Sequence, residues 1–313
     1  MLKRIELEAL RADLQSVQGL LSTRTAVEDP IGVMQYRYRQ GELEREIGQL
    51  ADVYEPTAQV GLFFGGRPVV GSRGIDATFG SKAVEQFQVL VSTKYTDMNG
   101  AVGARGRLPQ RQKSELLVTD VARGSFGFIM EEDSDAQFLD TPLKEAVTEI
   151  VDLIYRIGAP DEEAFEAGID EIDNRLLTSL RTFFRHLDDA GATIRLVEDS
   201  REYSLMRDGV TRARERADSL TITEEDREAV LGTLFVLPDA QRFELHRPDL
   251  PALRGTFTAE VRDILIDAFG AVRGDAIGRQ WLAELSVKTV RVPNRADRRT
   301  YRLVGLQEPN LAG

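Results

Sequence analysis

Residues 281–306 read WLAELSVKTVRVPNRADRRTYRLVGL, and this stretch predicts a long β-hairpin near the end of the chain. The run 281–292 is rich in apolar and β-prone residues, and the run 300–306 has the same character. Between them, residues 293–297 include proline, asparagine and aspartate, which are typical turn residues. Two β-prone runs separated by turn residues indicate antiparallel neighbours.

Working outward from this hairpin, the C-terminal region predicts a small β-barrel. Three shorter β-prone runs precede the hairpin, at 230–237, 242–246 and 252–258, and the stretch 260–269 has the apolar spacing of a helix. Three strands, a helix and two strands follow one another in the order of an OB-type barrel. An SH3-like barrel with an insertion is the alternative. We therefore expect a barrel domain over residues 221–309.

Arginine is concentrated on the predicted hairpin, and OB-type barrels often bind single strands through aromatic side chains and a basic groove. The candidate nucleic-acid-binding residues on the hairpin are Arg291, Arg295, Arg298, Arg299 and Tyr301. Other basic candidates on the barrel are Arg242, His246, Arg247 and Arg302, whereas Phe243 is expected in its core. The alternative is that the barrel docks a protein or has a purely structural role.

The first 55 residues predict a helical hairpin. The apolar residues of its first helix recur at alternating spacings of three and four and are Leu7, Leu10, Leu14, Val17 and Leu21. Asp29 can cap the second helix, and Pro30 suits its first position, where a missing N–H costs nothing. The five apolar residues are the candidate interface for a homo-oligomer or a protein partner. The alternative is that they pack within their own domain.

Residues 56–208 predict a mixed α+β domain, because strands come in hairpins while helices come in runs. Hairpins are expected over 57–70 and 192–206, and a hairpin or a bulged strand is expected over 116–130. Helices are expected over 81–95, with Ser81 as its N-cap, over 141–158 and over 174–189. The predicted fold class is α+β multidomain, with an N-terminal helical hairpin over 1–55, a central domain over 56–208 and a C-terminal OB-like or SH3-like barrel over 221–309.

The chain of 313 residues has 52 acidic and 40 basic side chains, a net charge of −12, but these charges are segregated. Residues 56–127 hold 9 basic and 5 acidic side chains, whereas residues 128–200 hold 6 and 19. Within the basic segment, glycines and cations alternate in the loop 98–113. The loop therefore predicts a second candidate anion site comprising Arg105, Arg107, Arg111 and Lys113, which Arg73 on a neighbouring glycine turn would join if both loops lie on the same sheet edge. The alternative is a solvated loop that binds nothing.

Composition excludes several classes of function. The chain has no cysteine and two histidines, which removes disulfides, thiolate metal sites and most imidazole catalysis. The acidic run Glu131–Asp135 lacks a following lysine at nuclease spacing, so we interpret it as a solvated strand exit. We predict no catalytic residue, no metal and no cofactor. No apolar run is long enough for a membrane span and the first 20 residues form a charged helix, so we expect a cytoplasmic protein without membrane contact.

These observations predict a non-catalytic binding or assembly protein. We expect an accessory subunit of a bacterial multi-protein system. It would bind either nucleic acid, for example a single strand, or a protein partner. The alternatives are a pure structural scaffold, for example in a defence or stress system, and a metal-dependent enzyme that processes phosphoryl groups. In the enzyme alternative, Asp120 or the run Glu131–Asp135 would hold the metal, and Arg73 or Arg105 would bind the phosphate.

Overall fold

The chain divides into two compact units in its computed structural model. The structure describes residues 2–98, 111–122, 126–136, 138–169, 172–199, 201–237, 242–265, 277–293 and 295–309. The first unit, here called the sheet unit, comprises residues 1–91, 112–155 and 186–210. The second, here called the barrel unit, comprises residues 92–111, 156–185 and 211–313. The three-domain division drawn from the sequence stays a prediction.

The described residues form eight α-helices and twelve strands. The helices are α1 (Lys3–Ser22), α2 (Pro30–Ala51), α3 (Ala77–Met98), α4 (Pro142–Gly158), α5 (Glu162–Ile169), α6 (Asn174–Ala190), α7 (Arg207–Ser219) and α8 (Ala259–Leu265). The strands are β1 (Gln59–Gly66), β2 (Val69–Val70), β3 (Gly74–Ile75), β4 (Leu116–Ala122), β5 (Phe126–Glu132), β6 (Ala192–Glu198), β7 (Arg201–Leu205), β8 (Thr221–Leu237), β9 (Arg242–Arg247), β10 (Leu250–Phe257), β11 (Gln280–Arg291) and β12 (Arg298–Gln307). The α+β class is confirmed, together with a five-stranded barrel in the C-terminal region.

The sheet unit is organised around β1, the central strand of an antiparallel sheet in the order β4-β5-β1-β6-β7. The predicted hairpin over 57–70 is wrong, because β1 pairs with β5 and β6 while β2 pairs with β3. Five consecutive residues of β1 are buried, so the strand needs a long neighbour on each side. The two-residue strand β2 cannot satisfy that requirement.

Glycines shape the face of this sheet that carries Phe63. A Cβ added at Gly127 would lie 2.3 Å from the Phe63 ring, and one at Gly61 would lie 2.7 Å from Leu2. Because Gly61 and Gly127 have no Cβ atoms, Phe63 can lie over the sheet and form a buried cluster with Leu2, Ile129 and Val197. The first residues of the chain are thereby anchored on the sheet.

The N-terminal helices α1 and α2 form the predicted hairpin. Asp29 accepts a hydrogen bond from the backbone N–H of Gly32 at 2.9 Å, and Pro30 is the first residue of α2, both as predicted. Lys3, at the start of α1, donates a hydrogen bond to the carbonyl of Ala51, at the end of α2, at 2.9 Å. The two helices are therefore antiparallel.

The other helix boundaries show where local signals suffice. Thr141 accepts a hydrogen bond from the N–H of Lys144 at 3.1 Å, which confirms the predicted start of α4. The predicted N-cap at Ser81 is wrong, because α3 begins four residues earlier and Asp76 accepts from the N–H of Phe79 at 2.8 Å. The helices α5 and α7 were not predicted from the sequence.

In the barrel unit, the five strands close in the order β10-β12-β11-β8-β9. Along the chain, α8 lies between β10 and β11. Closure is completed by parallel pairing of β10 with β12. Gly255 permits this pairing, because a Cβ there would lie 1.8 Å from the carbonyl oxygen of Tyr301. The interior is filled by a cluster that includes Phe243, Leu245 and Leu285. No helix in the described part of the chain is long and apolar enough to cross a membrane.

Candidate nucleic-acid interface

The arginines of the β11–β12 hairpin contact acidic groups within the barrel unit. Arg295 forms ion pairs with both Glu162 and Glu166 of α5. Arg298 donates a hydrogen bond to the backbone carbonyl of Glu166 at 3.2 Å. Arg291 pairs with Asp297 at 2.9 Å. The acidic helix thus occupies part of the cationic surface that the sequence predicted.

A second arginine reinforces this contact. Arg216 pairs with Glu162, and its guanidinium lies 4.3 Å from the centre of the Phe165 ring. It also donates hydrogen bonds to the carbonyls of Ile157 and Ala159 at 2.9 and 2.7 Å. Hydrogen bonds from Arg216 and then Arg295 lower the pKa of the Glu162 carboxyl. We call Glu162, Glu166, Arg216 and Arg295 the α5 clamp.

The remaining hairpin candidates differ in exposure and contacts. Arg302 pairs with Asp97 at 2.7 Å. Tyr301 is half-buried and packs against the core of the barrel. Arg299 is exposed, and it has no ion pair with any residue that the structure describes. Of the five predicted hairpin residues, Arg299 is therefore the one whose charge is most available to an anion.

A different surface of the barrel combines exposed aromatic and basic side chains. Along β9, Phe243 and Leu245 point into the core, so Arg242, Glu244 and His246 lie on the outside. The register places Leu237 of β8 and Thr256 of β10 on either side of Arg242. The same register places Phe235 and Arg254 on either side of Glu244. We call the outward residues of 231–237, 242–246 and 252–256 the β8–β10 face.

Two aromatic rings lie side by side on the β8–β10 face. The rings of Phe235 and His246 are 5.0 Å apart and meet edge to face at 66°. Phe235 is 41% exposed, and the His246 side chain is 53% exposed. Glu244 accepts from His246 at 3.2 Å and pairs with Arg254 at 2.8 Å. These contacts hold two rings and a guanidinium together at the surface.

Charge on this face is net basic. Its outward residues include Arg242, Arg254 and His246, with Glu244 as the acidic member. Arg242 is exposed and has no ion pair among the described residues. Arg242 and His246 are among the barrel candidates that the sequence predicts, whereas Phe235 is not. The sequence of β8 carries no signal for Phe235, because the outward residues Leu231 and Leu237 are as apolar as the buried Leu234.

The structure describes only part of the second candidate anion site. Arg73 and Lys113 are exposed residues of the sheet unit, and Arg73 stands in the turn between β2 and β3. Arg105 and Arg107 lie outside the described residues, as does the side chain of Arg111. The site on 98–113 therefore stays a prediction.

The acidic run after β5 is integrated into the sheet unit. Glu132 accepts hydrogen bonds from the N–H of Ala58 at 2.9 Å and from the hydroxyl of Thr141 at 2.5 Å. Within the described ranges, no three histidine, aspartate or glutamate side chains are grouped so that they could hold a metal ion. Glu132 thus ties the end of β5 to the start of α4.

A buried lysine in the sheet unit was not singled out from the sequence. Lys144 pairs with Asp140 at 2.9 Å and with Asp199 at 3.7 Å, and it donates to the carbonyl of Glu55 at 2.5 Å. Burial alone would lower the pKa of Lys144, but its hydrogen bond to Asp140 and the charge of Asp199 raise it above its ordinary value. This lysine therefore stays charged and crosslinks three segments, so it is unsuited to act as a base.

The five predicted interface residues of α1 share one environment. Leu7, Leu10, Leu14, Val17 and Leu21 are all half-buried, whereas most residues between them are exposed. Because α1 packs along α2, packing within the helical hairpin is one source of this partial burial. Their role in association with another chain stays a prediction.

Comparisons with protein-family models, with curated proteins and with solved structures each find no match to this chain. The functional conclusion therefore depends on the geometry of the surfaces described above.

Proposed function

We propose that this protein is a non-catalytic accessory subunit that binds single-stranded nucleic acid on the β8–β10 face of its barrel. The observation that carries the proposal is the exposed pair of rings, Phe235 and His246, beside Arg242 and Arg254. Each of these side chains is held outward by strand alternation, so the face is available without rearrangement of the barrel.

The strand arrangement supports an OB-like interpretation of the barrel. The third and fifth strands pair in parallel, and a helix lies between the third and fourth. OB-type barrels bind oligonucleotides on the face of their second and third strands. Here those strands are β9 and β10, which carry Arg242, His246 and Arg254. The proposed surface therefore coincides with the one that this type of barrel commonly uses.

The chemistry of the face favours a single strand over a duplex. Stacking needs an unpaired base whose π-face can reach an exposed ring, and only a single strand presents such bases freely. Phe235 would supply the stacking surface, while Arg242 and Arg254 would bind backbone phosphates through their planar guanidinium groups. The proposed recognition is therefore tolerant of sequence, because every base has a π-face.

The β11–β12 hairpin is a weaker candidate for the same role. An anion that binds Arg295 must displace two carboxylates, and Tyr301 packs against the core instead of projecting freely. We therefore propose that the hairpin arginines mainly stabilise the barrel unit, with Arg299 as the exception that can extend the binding surface.

Fluorescence anisotropy of the full-length chain with a labelled thymidine oligonucleotide at low salt tests the proposal. Replacing Phe235 with alanine should weaken binding by about 1–3 kcal/mol, the contribution of one stacked base. Arg254→Ala should weaken binding and reduce the slope of log affinity against log salt by about 0.7.

Arg227→Ala is the matched control for Arg254→Ala. Both side chains are exposed, at 72% and 73%, and each pairs with one glutamate, but Arg227 lies outside the β8–β10 face. The control should retain the affinity of the unmodified chain. Equal losses from the two substitutions, or no binding at low salt, would refute the proposed face and leave protein docking or a structural role for the barrel.

A further inference from the structure

The outer side of α2 carries a row of residues that has no part in the proposed nucleic-acid binding. Its members are separated by alternating spacings of three and four and are Ile31, Met34, Tyr38, Gly41, Arg45 and Gly48. This is the spacing of a helix–helix contact. By helix periodicity the row lies on the opposite side of α2 from its buried residues, Val33 and Leu43. We call it the outer row.

The first half of the outer row is apolar and exposed. Ile31, Met34 and Tyr38 are 65%, 66% and 66% exposed, although they follow one another on a single helix face. Isolated exposed apolar residues are normal on a protein surface, but three in one row form a continuous patch. Burial of this patch against a second helix would remove apolar area from water.

The second half of the outer row contains glycines that the chain itself does not require. No described atom outside α2's own backbone lies within 4 Å of a Cβ placed at Gly41 or Gly48. Glycine in a helix interior costs about 1 kcal/mol relative to alanine. At Gly32, by contrast, an added Cβ would lie 2.1 Å from the carboxylate of Asp29. Close packing of another helix against this surface would explain why glycine stands at positions 41 and 48, which nothing within the monomer does.

We infer that the outer row is the interface with a second copy of this chain, packed antiparallel about a two-fold axis. The row has an apolar half and a half in which two glycines flank Arg45, so an antiparallel copy places each half against the other. Tyr38 then faces Gly41 of the second copy, and Ile31 faces its Gly48. A surface that complements itself in this way forms a closed dimer. The row from 31 to 48 extends over about 27 Å of helix.

Charges beside the row support the same orientation. Arg37 and Glu44 are seven residues apart, so they lie on the same flank of the outer row. In an antiparallel pair, equivalent flanks face each other, which brings Arg37 of one copy near Glu44 of the other. Arg37 is exposed and has no ion pair among the described residues. In a parallel pair, each flank faces the opposite flank of the other copy, so Arg37 would not lie near Glu44 of the second copy.

Sedimentation equilibrium of the full-length chain at micromolar concentration tests this inference, which is independent of nucleic-acid binding. We expect twice the chain mass. Replacing Gly41 and Gly48 with glutamine, a good helix former, should raise the dissociation constant about tenfold or more, because the added side chains overfill the contact. Gly19→Gln is the matched control, since Gly19 is a helical glycine of α1 that also has open space around it.

A charge exchange tests the orientation. Arg37→Glu and Glu44→Arg should each weaken the dimer severalfold, and the double substitution should restore it. Helix content measured by circular dichroism must stay unchanged in every variant, which separates association from folding. A monomeric wild-type chain, or a dimer unaffected by the two glutamines, would overturn the interface. A double substitution that remains weak would overturn the antiparallel arrangement.

Discussion

Two surfaces of the same barrel carry arginine, but they differ in what surrounds the charges. On the β11–β12 hairpin, Arg295 contacts two glutamates of α5 and Arg302 contacts Asp97. On the β8–β10 face, Arg254 contacts one glutamate, Glu244, and Arg242 has no ion pair among the described residues. The comparison shows that the number of arginines in a segment does not determine how much charge it offers to a ligand. The acidic groups that fold beside those arginines determine it.

The two surfaces also differ in how their aromatic residues are oriented. Tyr301 on the hairpin packs against the core, while Phe235 and His246 on the β8–β10 face are exposed. A stacking site needs both an accessible ring and an available cation. The β8–β10 face has both, which is why we assign binding there and stabilisation to the hairpin.

Both surfaces depend on closure of the barrel, and Gly255→Val tests that dependence. The added Cβ would lie 1.8 Å from the carbonyl oxygen of Tyr301, where β10 pairs with β12. Overpacking against backbone should destabilise the barrel by about 3 kcal/mol. Urea unfolding measures the loss, with Gly278→Asn as a control, because Gly278 has a φ of +73° with no described atom near its Cβ site and asparagine tolerates that backbone. A Gly255→Val chain as stable as the original would contradict the closure by β10 and β12.

Arg295→Ala and Arg242→Ala should separate the roles of the two surfaces. Loss of Arg295 should lower the free energy of unfolding by about 0.5–1 kcal/mol, since its partners are partly exposed, and should leave oligonucleotide affinity unchanged. Loss of Arg242 should weaken oligonucleotide binding and leave the free energy of unfolding unchanged, because it removes a phosphate contact and no ion pair. Urea unfolding and anisotropy on the same two variants make the test. If Arg295→Ala weakens oligonucleotide binding more than Arg242→Ala, the assignment of the surfaces must be reversed.

The α5 clamp predicts a smaller, pH-dependent effect. Hydrogen bonds from Arg216 and Arg295 lower the pKa of Glu162 below its ordinary value of 4.5. The stabilisation is therefore fully present above that value and is lost as the pH falls through the lowered pKa. The difference in unfolding free energy between the original chain and Arg295→Ala should shrink as urea titrations move from neutral pH to acid. A difference that is constant across this range would show that Glu162 does not contribute through its charge.

Local chemical signals account for the parts of the fold that were predicted correctly. Asp29 with Pro30, and Thr141 with Pro142, specify helix starts through hydrogen bonds within three residues, so the sequence contains the whole interaction. The predicted N-cap at Ser81 is wrong because α3 begins at Ala77 and Asp76 accepts the N–H of Phe79, a start that only the observed backbone shows. The predicted partner of β1 is also wrong. Strand partners are selected by burial on both sides of the strand and not by proximity in sequence.

For the candidate site, the sequence by itself determined which way the side chains of β9 point. The alternation from Arg242 to His246 places Phe243 inside and its neighbours outside, since successive residues of a strand face opposite sides. Only the tertiary structure decided which charges remain available. Glu162 meets Arg295 although 133 residues separate them, and Phe235 lies beside His246 through the register of two strands. Such contacts depend on how distant segments pack, and a local pattern of residues does not contain that information.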